Sequence, residues 1–254
     1  MMPAVQNEPS AAGAAGKIRD HLSYVSSVHL ETERLGLRME VCAVKQFQAE
    51  RFRATYRDLL ADAQCAPAAH FFLEELYGAA EFEERDSQFG RIAGAIERVF
   101  PASVVDIAVD LAALHALTES LDHRMAAHWR SFPESTRPAL RYVQSWRRTA
   151  TPDDRRRQLE VVLHMGAALE RVTRSPGLRT ALKLMRRPAQ VAGLTALQGF
   201  LERGFDAFVH LRKTSRFLSA IETRERAWIH RLFEDEPNAV AHALEAEAVI
   251  TEAP

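Results

Sequence analysis

Apolar positions recur along this chain every three to four residues, the spacing that places them on one face of an α-helix. Leu37, Val41 and Val44 open one such series, and Phe52, Tyr56 and Leu59 continue it. Alternating β-branched runs of the kind that mark strands are missing. Proline falls where helices should begin, because its absent N–H costs nothing in a first turn. Thr151-Pro152-Asp153-Asp154 is a full start signal: a capping hydroxyl, proline at the first helical position, and carboxylates against the helix dipole. Ser175-Pro176 and Arg187-Pro188 mark two further starts. Helices are predicted over 22–62 (open to a break near Gly36), 67–77, 85–99, 102–131, 137–149, 152–174, 177–186, 188–203 and 205–233.

The pattern implies an all-α, single-domain bundle of about eight or nine helices over residues 22–233. A disordered N-terminal tail (1–21) and an acidic C-terminal tail (234–254) are expected to flank it. With 47% apolar and 26% charged residues the chain can bury a sizeable core, which excludes global disorder. No Gly/Ser linker and no repeat of fixed period divides it. The segment 188–203 is uncharged over its first 14 residues, so it is expected to be the central, buried helix. Val191, Leu194, Leu197 and Leu201 make one side of it. Ala192, Ala196 and Gly199 make a side where another backbone could approach closely, and Gln198 would need an internal hydrogen-bond partner.

Two cysteines, Cys42 and Cys65, form no CxxC pair. They offer no disulfide framework or zinc knuckle and are expected to be small buried hydrophobes in a reducing, cytoplasmic setting. No uncharged run approaches the roughly 20 residues a bilayer demands, and the first residues lack a signal peptide's apolar stretch. The net charge of −1 is unevenly spread. Residues 137–187 carry 13 basic and 4 acidic groups, whereas the last 21 residues carry six acids and no Lys or Arg. Arg outnumbers Lys 29 to 4, which suggests a GC-rich genome more than selection for phosphate binding.

Within the basic stretch, Arg137, Arg141, Arg147, Arg148, Arg155, Arg156 and Arg157 interleave with Tyr142 and Trp146. Such a mixture can bind nucleic acid, but no reader motif accompanies it. A solvated face, or a dock for the acidic tail, is the better reading. The partners expected are another protein or a second copy of the chain, with neither nucleic acid nor membrane.

The segments FFLEELYGAAEFEERDSQFGRI (Phe71 to Ile92) and MRRPAQVAGLTALQGFLERGFDAF (Met185 to Phe208) carry a resemblance. Together they resemble an uncharacterised all-helical proteobacterial family marked by an FFLxxLYG stretch and a following FxxRD segment. The resemblance covers roughly residues 40 to 233 and implies a single helical domain. It carries no activity and no catalytic residue. Read physically, Phe71, Phe72, Leu73 and Leu76 form a short helix apolar on most sides, ended by Gly78, with Arg85 and Asp86 opening the next.

No GxSxG, HExxH, Walker loop or GxGxxG occurs, and no ExxH pair. Three acid–histidine pairs stand at i, i+4: Glu119–His123, Glu160–His164 and Asp206–His210. On ideal wheels, Glu119 and His123 point toward water, and Glu160 and His164 lie opposite an apolar face. His115, Thr118 and Asp122 fall along the margin of the 102–131 face. His210 lies within the face of 205–233, and Glu225 lies near its centre, where a carboxylate needs a partner or a raised pKa. One candidate constellation results: His115, Asp122, His210 and Glu225 as ligands of a divalent metal, with Asp206 orienting His210. A haem held by His210 or His115 is also open, though no motif implies metal or haem. The competing reading is a set of polar groups that satisfy one another inside the core. Two function classes remain. One is a non-catalytic helical bundle acting through partner binding or regulation. The other is a metal- or haem-binding helical enzyme of the oxygenase type.

Overall fold

In the computed structural model, residues 13–75, 83–99, 102–175, 177–209, 211 and 214–252 are described. Among them, 88% are helical and none is in a strand. The helices run in the order α1 (Ala14–Arg34), α2 (Arg38–Thr55), α3 (Arg57–Ala61), α4 (Ala66–Glu75), α5 (Glu83–Val99) and α6 (Ala102–Arg130). They continue with α7 (Pro138–Thr149), α8 (Pro152–Thr173), α9 (Leu178–Val191), α10 (Thr195–Val209), α11 (Thr214–Glu234) and α12 (Pro237–Glu252). The all-α class holds, with twelve helices among the described residues in place of eight or nine.

Two of the additional breaks share one device. At Gly36 (φ +62°) the N–H of Leu37 donates to Thr32 O at 2.9 Å and that of Gly36 to Glu33 O at 2.9 Å. At Gly193 (φ +67°) Leu194 N–H reaches Ala189 O at 2.8 Å and Gly193 N–H reaches Gln190 O at 3.1 Å. Each is a Schellman closure, which needs a left-handed residue that glycine supplies without strain. The second break overturns the expected helix 188–203. Pro188 lies inside α9 rather than at a start, and Val191 is 91% exposed. Gln198 does find a partner, donating to Leu182 O at 2.8 Å.

The central helix is α6. It packs against α1, α2, α7 and α8 along its length. It is therefore buried on several sides, and Glu119, expected to face water, is enclosed beneath α1 and α2.

Two segments expected to lie in tails, 14–21 and 237–252, are helical. Helix α1 starts at Ala14 because Ala15, Ile18 and Leu22 extend its apolar stripe. The carboxylate of Glu97 in α5 accepts from the N–H groups of Ala14 (2.8 Å) and Ala15 (3.3 Å), serving as its cap. The acidic C-terminal segment forms α12, which packs on α7 and α2 and buries Val240, Ala241 and Leu244. Glu245 and Glu247 are only partly buried, so a segment that looks polar in sequence still carries an apolar stripe.

The arginine-rich stretch does structural work. The guanidinium of Arg147 donates to the carbonyls of Leu232 and Asp235 at the end of α11, and Arg141 donates to Trp129 O at 2.8 Å near the end of α6. These carbonyls lie at or just beyond the C-terminal ends of α6 and α11, where the helix ladder runs out of N–H donors. Arg137 binds Glu245 of α12 at 2.9 Å. The Thr151 hydroxyl caps α8 as the sequence predicts, and the Asp154 side chain, reaching back to the Thr151 N–H, completes a capping box. Of the two cysteines Cys65 is buried, but Cys42 is exposed and lines a surface groove.

Candidate functional site

Buried apolar residues form two clusters. One joins α2, α6, α7 and α11 through Phe52, Met125, Tyr142, Trp146 and Ile221. The other joins α1, α5, α6 and α10 through Leu22, Phe89, Ala112 and Phe200. A cavity of about 90 Å³ lies between them and is lined from both. Among the described residues ten polar side chains are buried, and five of them, Gln48, Arg51, Glu119, Asp122 and Arg155, line it. Polar side chains are thus concentrated at the seam of an otherwise apolar interior.

Each acid in this seam has its own partner. Arg51 donates two parallel bonds of 3.0 Å to the carboxylate of Glu225, and the Tyr56 hydroxyl adds a third at 2.7 Å. Glu119 is gripped by Lys45 Nζ at 2.6 Å and His29 Nε2 at 3.1 Å. Burial works to raise the Glu119 carboxyl, but the His29 hydrogen bond and the Lys45 charge outweigh it and hold the pKa down to about 2. That same bond to Glu119 raises the His29 imidazole above its ordinary value. Asp122 accepts from the neutral amide of Gln48 at 3.0 Å. Burial pushes its carboxyl up to about 6, against the pull of Lys45 and with the push of Glu119. His115 Nε2 meets Asp86 Oδ2 at 2.6 Å.

The wall made by α7 and α8 is different. The Arg155 guanidinium carbon lies 3.7 Å from the centre of the Trp146 ring, and Nη1 donates to Gln158 Oε1 at 3.2 Å. Tyr142 and Trp146 line the cavity, and the buried Tyr142 hydroxyl and Trp146 indole N–H have no hydrogen-bond partner among the described residues. Burial raises the Tyr142 phenol, so it stays protonated and able to donate. Leaving a buried donor unmade costs about 1–3 kcal/mol, which makes two at one cavity informative.

A larger surface groove of about 1030 Å³ runs along α1, α2, α5 and α6. Leu22, Asp86, His115 and Glu119 line both the groove and the cavity, so they form the boundary between them.

Of the metal-ligand set expected from sequence, His115, Asp122 and Glu225 line this one cavity. His210 lies outside the described residues. The three that are described face different partners: Asp86, Gln48, and Arg51 with Tyr56. Among the described residues no group of three or more His, Cys, Asp and Glu side chains is placed to hold a metal ion. Asp206 is exposed, 3.6 Å from Arg179. Sequence reasoning passed over Arg51, and it took Arg155, Tyr142 and Trp146 as part of a solvated basic stretch or a dock for the acidic tail. A signal existed for the arginines: Arg51 follows Val44 by seven residues and Arg155 precedes Leu159 by four, which puts each on a buried stripe.

A family model described as "Domain of unknown function (DUF8198)" matches residues 28–239. The chain belongs to this family. The DUF8198 match runs from within α1 to the start of α12 and so includes every residue that lines the cavity except Leu22. No curated protein and no solved structure matches the chain. No helix among the described residues is long and apolar enough to cross a membrane.

Proposed function

We propose that this DUF8198 chain is a non-catalytic binding bundle whose internal cavity takes a small polar ligand. Regulation or partner binding would then follow from occupancy. The observation that carries the reading is the pair of buried donors without partners, Tyr142 OH and Trp146 Nε1, at a cavity also lined by Arg51 and Arg155. A purely structural polar network would satisfy its members internally, as the Arg51–Glu225 and Lys45–Glu119 pairs do. Gaps between bundle helices are where ligand cavities form.

The test is chemical recovery. Protein purified by gel filtration is denatured, and the released small molecules are identified by mass spectrometry. The wild type should release one compound near stoichiometry, and the Tyr142→Phe/Trp146→Phe double variant much less. Equal release from both, or nothing from either together with no thermal stabilisation by a panel of small polar compounds, would remove the reading.

A second reading keeps the cavity but fills it with a metal bound by His115, Asp122, His210 and Glu225. Its support is that three of the four line one cavity. Metal analysis of the purified chain tests it: a divalent ion near stoichiometry that His115→Ala removes would favour it over the organic ligand.

A further inference from the structure

Helices α1 and α2 both pack on α6, yet among the described residues they make little contact with each other beyond the turn at Gly36 that joins them. The surface groove of about 1030 Å³ is lined from both. Leu22, Val25 and Leu30 of α1 form one wall, Met39, Val41 and Cys42 of α2 the other, and His115, Glu119 and His123 of α6 the floor. Ser87, Gly90 and Arg91 of α5 close the end near Arg19.

Most polar groups along the groove are matched within the chain. Glu119 is held by Lys45 and His29, and Asp86 meets His115. Glu33 meets Arg38 at 2.7 Å, and His123 Nδ1 meets Thr32 Oγ1 at 2.8 Å. Two features are left over. Leu30 and Met39, on facing walls, are 71% and 77% exposed, which puts apolar surface on both sides of one opening. Arg19 has no ion pair or hydrogen bond among the described residues, and Arg91 donates only to Gly193 O, at 2.9 Å. The Arg19 guanidinium lies against α5 at Gly94, one turn from Arg91. Two guanidinium groups therefore stand at one end of the groove and two exposed apolar side chains at the other.

Shape and charge together select an occupant. Arg19 and Leu30 are eleven residues apart on α1, about 16 Å or three turns at 1.5 Å per residue. A helix of that length and 10–12 Å thick fills roughly 1300–1800 Å³, so the groove takes in most of it and leaves an outer face in water. A bilayer surface is flat on this scale and does not enter a trough between two helices. The Arg19–Arg91 end calls for carboxylates.

We infer that the groove seats an amphipathic helix of a protein partner, its apolar side chains at i, i+3 and i+4 between Leu30 and Met39 and its carboxylates, about three turns away, against Arg19 and Arg91. Such a helix docks whether or not the inner cavity is filled.

A displayed library of roughly 16-residue helical peptides, about four turns long and randomised on one face, is selected on the full chain, and the consensus peptide is synthesised with a fluorescent label. The consensus should carry Leu, Met or Phe at one end and Glu or Asp about three turns away, and should saturate one site in fluorescence anisotropy. Leu30→Asp and Met39→Asp alter exposed positions, so the helical circular dichroism should be unchanged while each weakens binding at least about tenfold, as loss of an anchor contact does. The Arg19→Glu/Arg91→Glu double variant should bind several-fold more weakly, and a peptide with its acids replaced by Lys should bind that variant better than it binds the wild type. A selection that enriches no peptide, or a consensus peptide that binds wild type and Met39→Asp alike, would overturn the docking site. A Lys peptide that gains nothing from the charge reversal would overturn the acidic class of partner. Binding of phosphatidylglycerol vesicles by the wild type but not by Met39→Asp, with no peptide enriched, would assign the surface to lipid instead.

Discussion

Arg51 on α2 and Glu225 on α11, 174 positions apart in sequence, meet through two parallel hydrogen bonds of 3.0 Å with side-chain exposures of 3% and 13%. The fork ties two helices across the polar seam, with Tyr56 on the same carboxylate. Removing one partner strands a buried charge, which typically costs about 3–5 kcal/mol. Arg51→Met alone is expected to destabilise by that order in urea denaturation. Adding Glu225→Leu to it should recover much of the loss, because an apolar pair needs no compensation. A double variant as unstable as the sum of both singles would show that the pair is not coupled.

The C-terminal helix contributes through its apolar stripe and little through its acids. Deleting residues 237–254 uncovers the sites filled by Val240, Ala241 and Leu244. At about 1.5–3 kcal/mol for a buried Val or Leu, the expected loss is roughly 4 kcal/mol. Glu245→Gln breaks only the half-exposed contact to Arg137 and should change stability by less than about 1 kcal/mol. Thermal melts of the two variants decide the point. A truncated chain that melts like the full chain would contradict this packing.

Two acids in the seam give opposite dependences on pH. The folded Asp122 carboxyl is raised from 3.8 to about 6, so its stabilising contribution is complete below pH 3.8 and is lost as pH rises through 6. The full difference is roughly 3 kcal/mol. The Glu119 carboxyl is lowered from 4.5 to about 2, so its contribution is present above pH 4.5 and is lost as pH falls through 2. Asp122→Asn, whose amide oxygen can still accept from Gln48, should flatten the fall between pH 4 and 6 and raise stability at pH 7. Glu119→Gln should flatten the acid limb and lower stability at pH 7. Urea titrations across pH 2 to 8 read both effects.

Close approach of helices is found at Gly166 rather than Gly199. A Cβ at Gly166 in α8 would stand 2.5 Å from Leu218 Cδ2 of α11, whereas one at Gly199 would meet only the flexible end of Arg203, at 3.1 Å. Gly166→Val is therefore expected to destabilise by about 1–3 kcal/mol through overpacking. Gly199→Val should have a much smaller effect. Equal melting temperatures for the two variants would refute the packing.

What the sequence determined by itself was local. The three-to-four periodicity, the start signal at Thr151 to Asp154 and the left-handed demand at Gly36 are fixed by neighbouring residues, so the all-α class and many helix bounds could be read directly. The wheel also flagged Glu225 as an acid on an apolar face that would need a partner. The identity of that partner is a matter of which helices touch, and Arg51 lies too far along the chain for any periodicity to reveal it. The same holds for Glu119. A wheel assigns one face to water, but α6 has helices packed along several sides, so its polar groups became interior ones. Helix 188–203 failed in the opposite sense: uncharged residues need not be buried when a glycine turn splits them and leaves Val191 outside. Only the tertiary packing decided that two apolar clusters would meet along a polar seam, because a cavity belongs to the space between elements and is encoded in none of them singly.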